Sequence, residues 1–125
     1  MSLDHANHNT DLCDKLLNEG IYLDWVVTTA FYAAMHYIDA KIYPVKYKGI
    51  EYIDFATFYK VICKPSGISK HNGKIILSTG HSNDLGEKYR YLHDACHSAR
   101  YSRYLVSQGA AAHARKKLSK INTII

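Results

Sequence analysis

Apolar residues recur at helical spacing along most of the chain, and the breaks between the periodic stretches carry helix-ending residues. From Asp4 to about Asn18, Leu12, Lys15, Leu16 and Glu19 predict a first helix, with Asn18-Glu19-Gly20 as its stop and Gly20 as C-cap. Asp24 stands as the N-cap of a second helix that runs to about Tyr43 and ends at Pro44, which cannot continue it. At ~100° per residue, Val27, Phe31, Ala34, Ile38 and Ile42 form one stripe of that helix. Trp25, Thr29, Tyr32, His36, Asp39 and Tyr43 form a roughly opposite one, too aromatic for simple exposure and too polar for an aliphatic core.

Residues 44–68 read as an irregular or inserted segment between Pro44 and Pro65. Ile50 to Cys63 is predicted helical, with a hairpin as the alternative because Tyr52, Phe55, Phe58 and Tyr59 suit strands. A short helix follows from Ser69 to about Leu77, and Ser78 to Asn83 reads as a turn. The longest helix is expected from about Asn83 to Ser107. Its apolar stripe is Leu85, Tyr89, Leu92, Cys96 and Ala99, opposite Arg90, His93, Asp94, His97, Tyr101 and Tyr104, with Arg100 at the edge. A final helix, about Ala110 to Ile121, turns Ala111, Ala114, Leu118 and Ile121 inward and Arg115, Lys116, Lys117 and Lys120 outward. The expected fold is therefore all-α, an up-and-down bundle of four to six helices in a single domain over residues 1–125.

Composition narrows this only slightly. With 47% hydrophobic and 22% charged residues in 125, the chain is neither disordered nor a disulfide scaffold. Cys13, Cys63 and Cys96 form no CxxC pair and are odd in number, which points to thiols in a reducing compartment. The apolar stretch Trp25 to Met35 is too short to cross a bilayer, and the N-terminus lacks a basic-then-apolar export signal, so the expected location is the cytoplasm, away from membranes.

Charge changes the picture more. Residues 1–60 hold five Lys/Arg and eight Asp/Glu, whereas residues 61–125 hold eleven Lys/Arg and three Asp/Glu. A basic half attracts polyanions by neutralising phosphates and releasing counterions, which makes RNA or a nucleotide the first candidate partner.

Three features could carry chemistry. His93-x3-His97 places two imidazoles one turn apart, as in helical zinc motifs, but Asp94 stands where a catalytic glutamate would be needed and no third ligand has family-like spacing. No metal or other cofactor is predicted. Arg90 and His97 lie two turns apart on one face, where arginine could hold a phosphate and histidine move a proton to or from a ribose hydroxyl or leaving oxygen. His36 reads first as a hydrogen-bonded histidine between helices. No Gly-rich phosphate loop or GxSxG elbow is present, which removes P-loop NTPases and α/β-hydrolases.

Asp24-Trp25-x-x-Thr28-x-x-Phe31-Tyr32-x-Ala34-x-His36-Tyr37, then Ser69-x-His71, Tyr89-x-x-Leu92 and Ala99-Arg100-Tyr101, resembles the small prokaryotic proteins of the HEPN superfamily over roughly residues 5–120. The resemblance implies a helical bundle, commonly a symmetric homodimer. In many members it implies a metal-independent endoribonuclease with an Arg-x4–6-His motif on a late helix. Arg90-x6-His97 fits that motif at its upper spacing and makes Arg90 and His97 the implied catalytic residues, although Tyr91 follows the arginine where active members carry Asn, Asp or His. The subgroup it most resembles is marked instead by Asp24, His36, His71, Arg100 and Tyr101, which are the implied binding residues. An antitoxin or a nucleotidyltransferase is the implied protein partner of such a chain, and a non-catalytic dimerisation module is the alternative function.

Overall fold

A computed structural model describes residues 2–125. The chain is all-α apart from one small hairpin: α1 (Ser2–Glu19), α2 (Leu23–Lys41), β1 (Val45–Tyr47), β2 (Ile50–Tyr52), α3 (Phe55–Phe58), α4 (Lys70–His81), α5 (Asn83–Tyr101) and α6 (Gln108–Ile124). A π turn (Tyr59–Cys63) and a 3-10 turn (Lys64–Ser66) continue α3. Among the described residues no helix is long and apolar enough to cross a membrane.

α2 is the axis of the bundle. α1, α5 and α6 all pack against it, and the expected stripe from Val27 to Ile42 is buried throughout. Thr28 and Thr29 tolerate burial because each hydroxyl donates back to a carbonyl one turn earlier, Thr28 to Asp24 (2.8 Å) and Thr29 to Trp25 (2.7 Å). The predicted inner stripes of α5 and α6 are buried as well. Ala6 and Cys13 face inward while Leu12 is 39% exposed, because small side chains let α1 lie close on α2. Gly20 closes α1 as expected, with φ 71° and its N–H on the Leu16 carbonyl at 3.0 Å.

Four boundaries need correction. α2 starts at Leu23 with Tyr22 as its left-handed N-cap, so Asp24 lies inside the first turn and does not cap. Its carboxylate is drawn instead to Arg100, at 3.7 Å. The segment 44–68 divides: Val45 pairs with Tyr52 and Tyr47 with Ile50 across a Lys48-Gly49 turn in which both φ angles are positive, and helix begins only after Asp54 caps the Thr57 N–H at 2.7 Å. Residues 50–52 are thus strand where helix is the primary expectation. The helix after Ser69 does not stop at Leu77 but continues to His81. Its Ser-Thr-Gly tail looks like a turn by composition, yet Ser78 is buried and Thr79 donates to the Ile75 carbonyl at 2.8 Å. Only Ser82 breaks the chain there, its hydroxyl accepting from the Leu85 N–H at 3.3 Å. Finally, α5 ends at Tyr101, not Ser107. The N–H groups of Ser102 and Arg103 both converge on the Ser98 carbonyl, at 2.9 and 2.8 Å, and residues 102–107 run non-helically until Ser107 caps α6.

Candidate functional site

The first turn of α4 and the last two turns of α5 meet α2 at a cleft of about 290 Å³ lined by Phe31, Tyr32, His71, His93, Cys96, His97, Arg100 and Tyr101. Helical spacing sets up one wall. His93, His97 and Tyr101 follow one another at four-residue steps on α5, with ring centroids 6.3 and 4.9 Å apart. α4 supplies His71, whose ring lies 5.4 Å from that of His93. The floor is Phe31, buried and 5.6 Å from each of these two imidazoles.

Electrostatics differ around the cleft. His71 is held below the usual histidine pKa, first by desolvation and then by the charge of His93 and of Lys74. His93 Nδ1 lies 3.1 Å from Asp94 Oδ1. The Cys96 thiol is buried and pushed up mainly by burial, so it is a packing group here rather than a nucleophile. At the open end Arg100 sits over the Trp25 ring, 4.1 Å from its centroid, and faces the Asp24 carboxylate. Among the described residues no three His, Cys, Asp or Glu side chains are arranged to hold a metal ion.

The seven residues singled out by sequence therefore separate. His71, His97, Arg100 and Tyr101 share the cleft, and Asp24 stands behind Arg100. Arg90 does not join them. It borders a different hollow with Tyr47, Ile75, Ile76, Thr79 and Gly80, facing α4 and the hairpin. His36 is elsewhere again, stacked on His5 of α1 at 4.6 Å, and its buried Nδ1 lacks the hydrogen bond that the sequence predicts for it. Two further contributors stand outside those seven, His93 and the Trp25 platform. His93 is visible in sequence as half of a His-x3-His pair, but only the α4–α5 packing shows that its third neighbour is His71.

Both unusual histidines carry a pH prediction. His36 and His71 have folded-state pKa values lowered below 6.5, chiefly by burial, with His5 the second cause at His36. The unfolded chain binds more protons than the folded one once pH drops below that value, so stability contributed by the neutral rings is complete above about pH 6.5 and declines as pH falls below it. Asp39 opposes the shift at His36 and Lys74 reinforces it. Urea midpoints should fall between pH 7.5 and 5.5, and the double variant His36→Gln/His71→Gln should show a flatter dependence. An unchanged slope in that variant would remove the assignment.

Compared with protein-family models, with curated proteins and with solved structures, the chain matches none of them.

Proposed function

We propose that this chain is an HEPN-like, RNA-binding helical domain of the cytoplasm that seats a phosphodiester in the His71–His93–His97–Arg100 cleft. The observation that supports it best is the convergence of three imidazoles and one guanidinium on a single hollow with an aromatic floor. Arg100 keeps its positive charge at any physiological pH and offers a planar donor edge for phosphate oxygens. Imidazoles on opposite walls can divide a proton transfer between them.

The catalytic form of the proposal follows from that division. His71, kept neutral, takes the proton of a ribose 2′-hydroxyl as its oxygen attacks phosphorus. The bond from phosphorus to the 5′-oxygen then breaks, and His97 at the open end delivers a proton to that oxygen. The products are a 2′,3′-cyclic phosphate and a free 5′-hydroxyl. This reading shifts the chemistry from the Arg90–His97 pair to the cleft in which His97 sits with Arg100.

The experiment compares RNA binding and cleavage by the wild type and by His71→Gln, His97→Gln and Arg90→Ala. Each histidine variant should lose about 10²- to 10⁴-fold in cleavage rate, with Arg90→Ala within about twofold of wild type. Arg90→Ala as damaging as His97→Gln would return the site to the sequence motif. RNA that neither binds nor is cut would overturn the function altogether. If light scattering then gave a dimer, the chain would be the interaction module favoured by the exposed Ile21, Tyr104 and Leu105.

A further inference from the structure

Phosphate recognition needs charge and hydrogen-bond donors, not flat π surfaces, yet the open end of the cleft is built from them. Arg100 lies over Trp25 at 4.1 Å while Nη1 reaches toward Asp24 Oδ2 at 3.7 Å. The indole occupies one face of the guanidinium and the carboxylate one edge, and the side chain still lines the cleft. Beside it Tyr101 is 79% exposed although its ring is only 4.9 Å from His97, and Tyr32 borders the same opening. On the opposite side of α5 Leu85, Tyr89 and Leu92 are buried in the core, whereas the Tyr101 ring is left out of it.

We propose that Arg100, backed by Trp25, and Tyr101 form a nucleobase subsite that takes one unpaired base, a purine in preference to a pyrimidine, next to the phosphate in the histidine cleft. This rests on the proposed function and extends it from phosphate to base. Guanidinium planes and tyrosine rings are the surfaces on which unpaired bases stack. The two contacts of Arg100 hold it in place before a ligand arrives, which lowers the ordering cost of binding. Asp24 would repel a neighbouring phosphate if it were free, but Arg100 faces it at short range. A purine offers the larger stacking area. A base inside a duplex already has neighbours on both faces and cannot enter.

Trp25 is the chain's single tryptophan, so its emission reports on this end of the cleft. Emission titrations with short oligo(A), short oligo(U), the oligo(A)·oligo(U) duplex and pyrophosphate test the subsite. Oligo(A) should bind about tenfold more tightly than oligo(U), and Tyr101→Leu should weaken oligo(A) by at least about fivefold, with Tyr101→Phe restoring it. Pyrophosphate affinity should be the same in all three proteins and weaker in His97→Gln. If oligo(A), oligo(U) and the duplex bind alike, or Tyr101→Leu changes nothing while His97→Gln still weakens binding, the base subsite is wrong and the phosphate cleft stands. If no probe binds, both fall. If Tyr101→Leu turns a dimer into a monomer by light scattering, the ring belongs to a protein interface and the subsite is overturned.

Discussion

Replacing Phe31 with alanine is expected to cost about 3–5 kcal/mol of folding stability, the range for emptying a buried aromatic site. Phe31 is 3% exposed on the central helix and stacks on Tyr89, with ring centroids 5.6 Å apart and planes 17° from parallel. Such aromatic pairs add roughly 0.5–1.5 kcal/mol to the burial itself. Against a total stability of about 5–15 kcal/mol this is a large fraction. The same ring is the shared neighbour of His71 and His93, so the variant should also lose the proposed RNA binding at temperatures where it remains folded. Phe31→Leu refills most of the volume and should cost under about 2 kcal/mol. Urea melts resolve the two, the midpoint moving while the slope stays constant. A shift equivalent to less than about 1 kcal/mol in Phe31→Ala would mean that the floor is loosely packed and does not set the imidazole positions.

The charge asymmetry acquires a second meaning in three dimensions. Asp14, Asp24 and Asp39 in the acidic half face Arg115, Arg100 and Lys74 in the basic half, at 2.5, 3.7 and 2.7 Å. Part of the asymmetry is therefore internal complementarity, which fixes α6 on α1, α5 on α2 and α4 on α2. Partly exposed pairs of this kind contribute little energy, at most about 1 kcal/mol each, and serve chiefly to select register. These three cations are therefore engaged within the chain, and among them only Arg100 also opens onto the cleft.

What sequence could reveal follows from what periodicity encodes. The aliphatic stripes of α2, α5 and α6 were legible because a helix buried along one face repeats its apolar residues every 3.6 positions. The inward face of α1 was not legible, because Ala6 and Cys13 are inward for their small size, a property that a hydrophobicity pattern ranks below Leu12. The tail of α4 misled because Ser78, Thr79 and Gly80 are there for close packing, whereas such residues in sequence signal turns. For the site, periodicity gave angles but not neighbours. It placed Arg90 and His97 on one face of α5, but two turns separate them by about 10 Å along the axis. Over that distance the partner changes from the hairpin and the later turns of α4 to the start of α4 and the middle of α2. The pairing of His71 with His93 depends on how closely α4 approaches α5, and one position sits at the tightest part of that contact.

That position is Gly86. A Cβ added there would lie 2.0 Å from Thr79 Oγ1 and 2.8 Å from Thr79 Cα, so rotating one side chain is not enough and the α4 backbone must withdraw. Alanine at 86 gains helix propensity of about 1 kcal/mol over glycine, but forcing two packed helices apart costs typically 1–3 kcal/mol or more. The net expectation for Gly86→Ala is a loss of about 1–2 kcal/mol, and valine should be worse. Gly109 in the first turn of α6 gives a matched comparison, since nothing lies within 4 Å of its would-be Cβ. There the same substitution should stabilise by a few tenths to about 1 kcal/mol. Opposite signs at two helical glycines separate packing from propensity, which no single variant can do. Gly86→Ala should also weaken the proposed RNA binding, because His71 rides on α4 and His93 on α5. Equal stabilisation at both sites would show that α4 and α5 can part without cost, and then their contact could not be what holds the two imidazoles 5.4 Å apart.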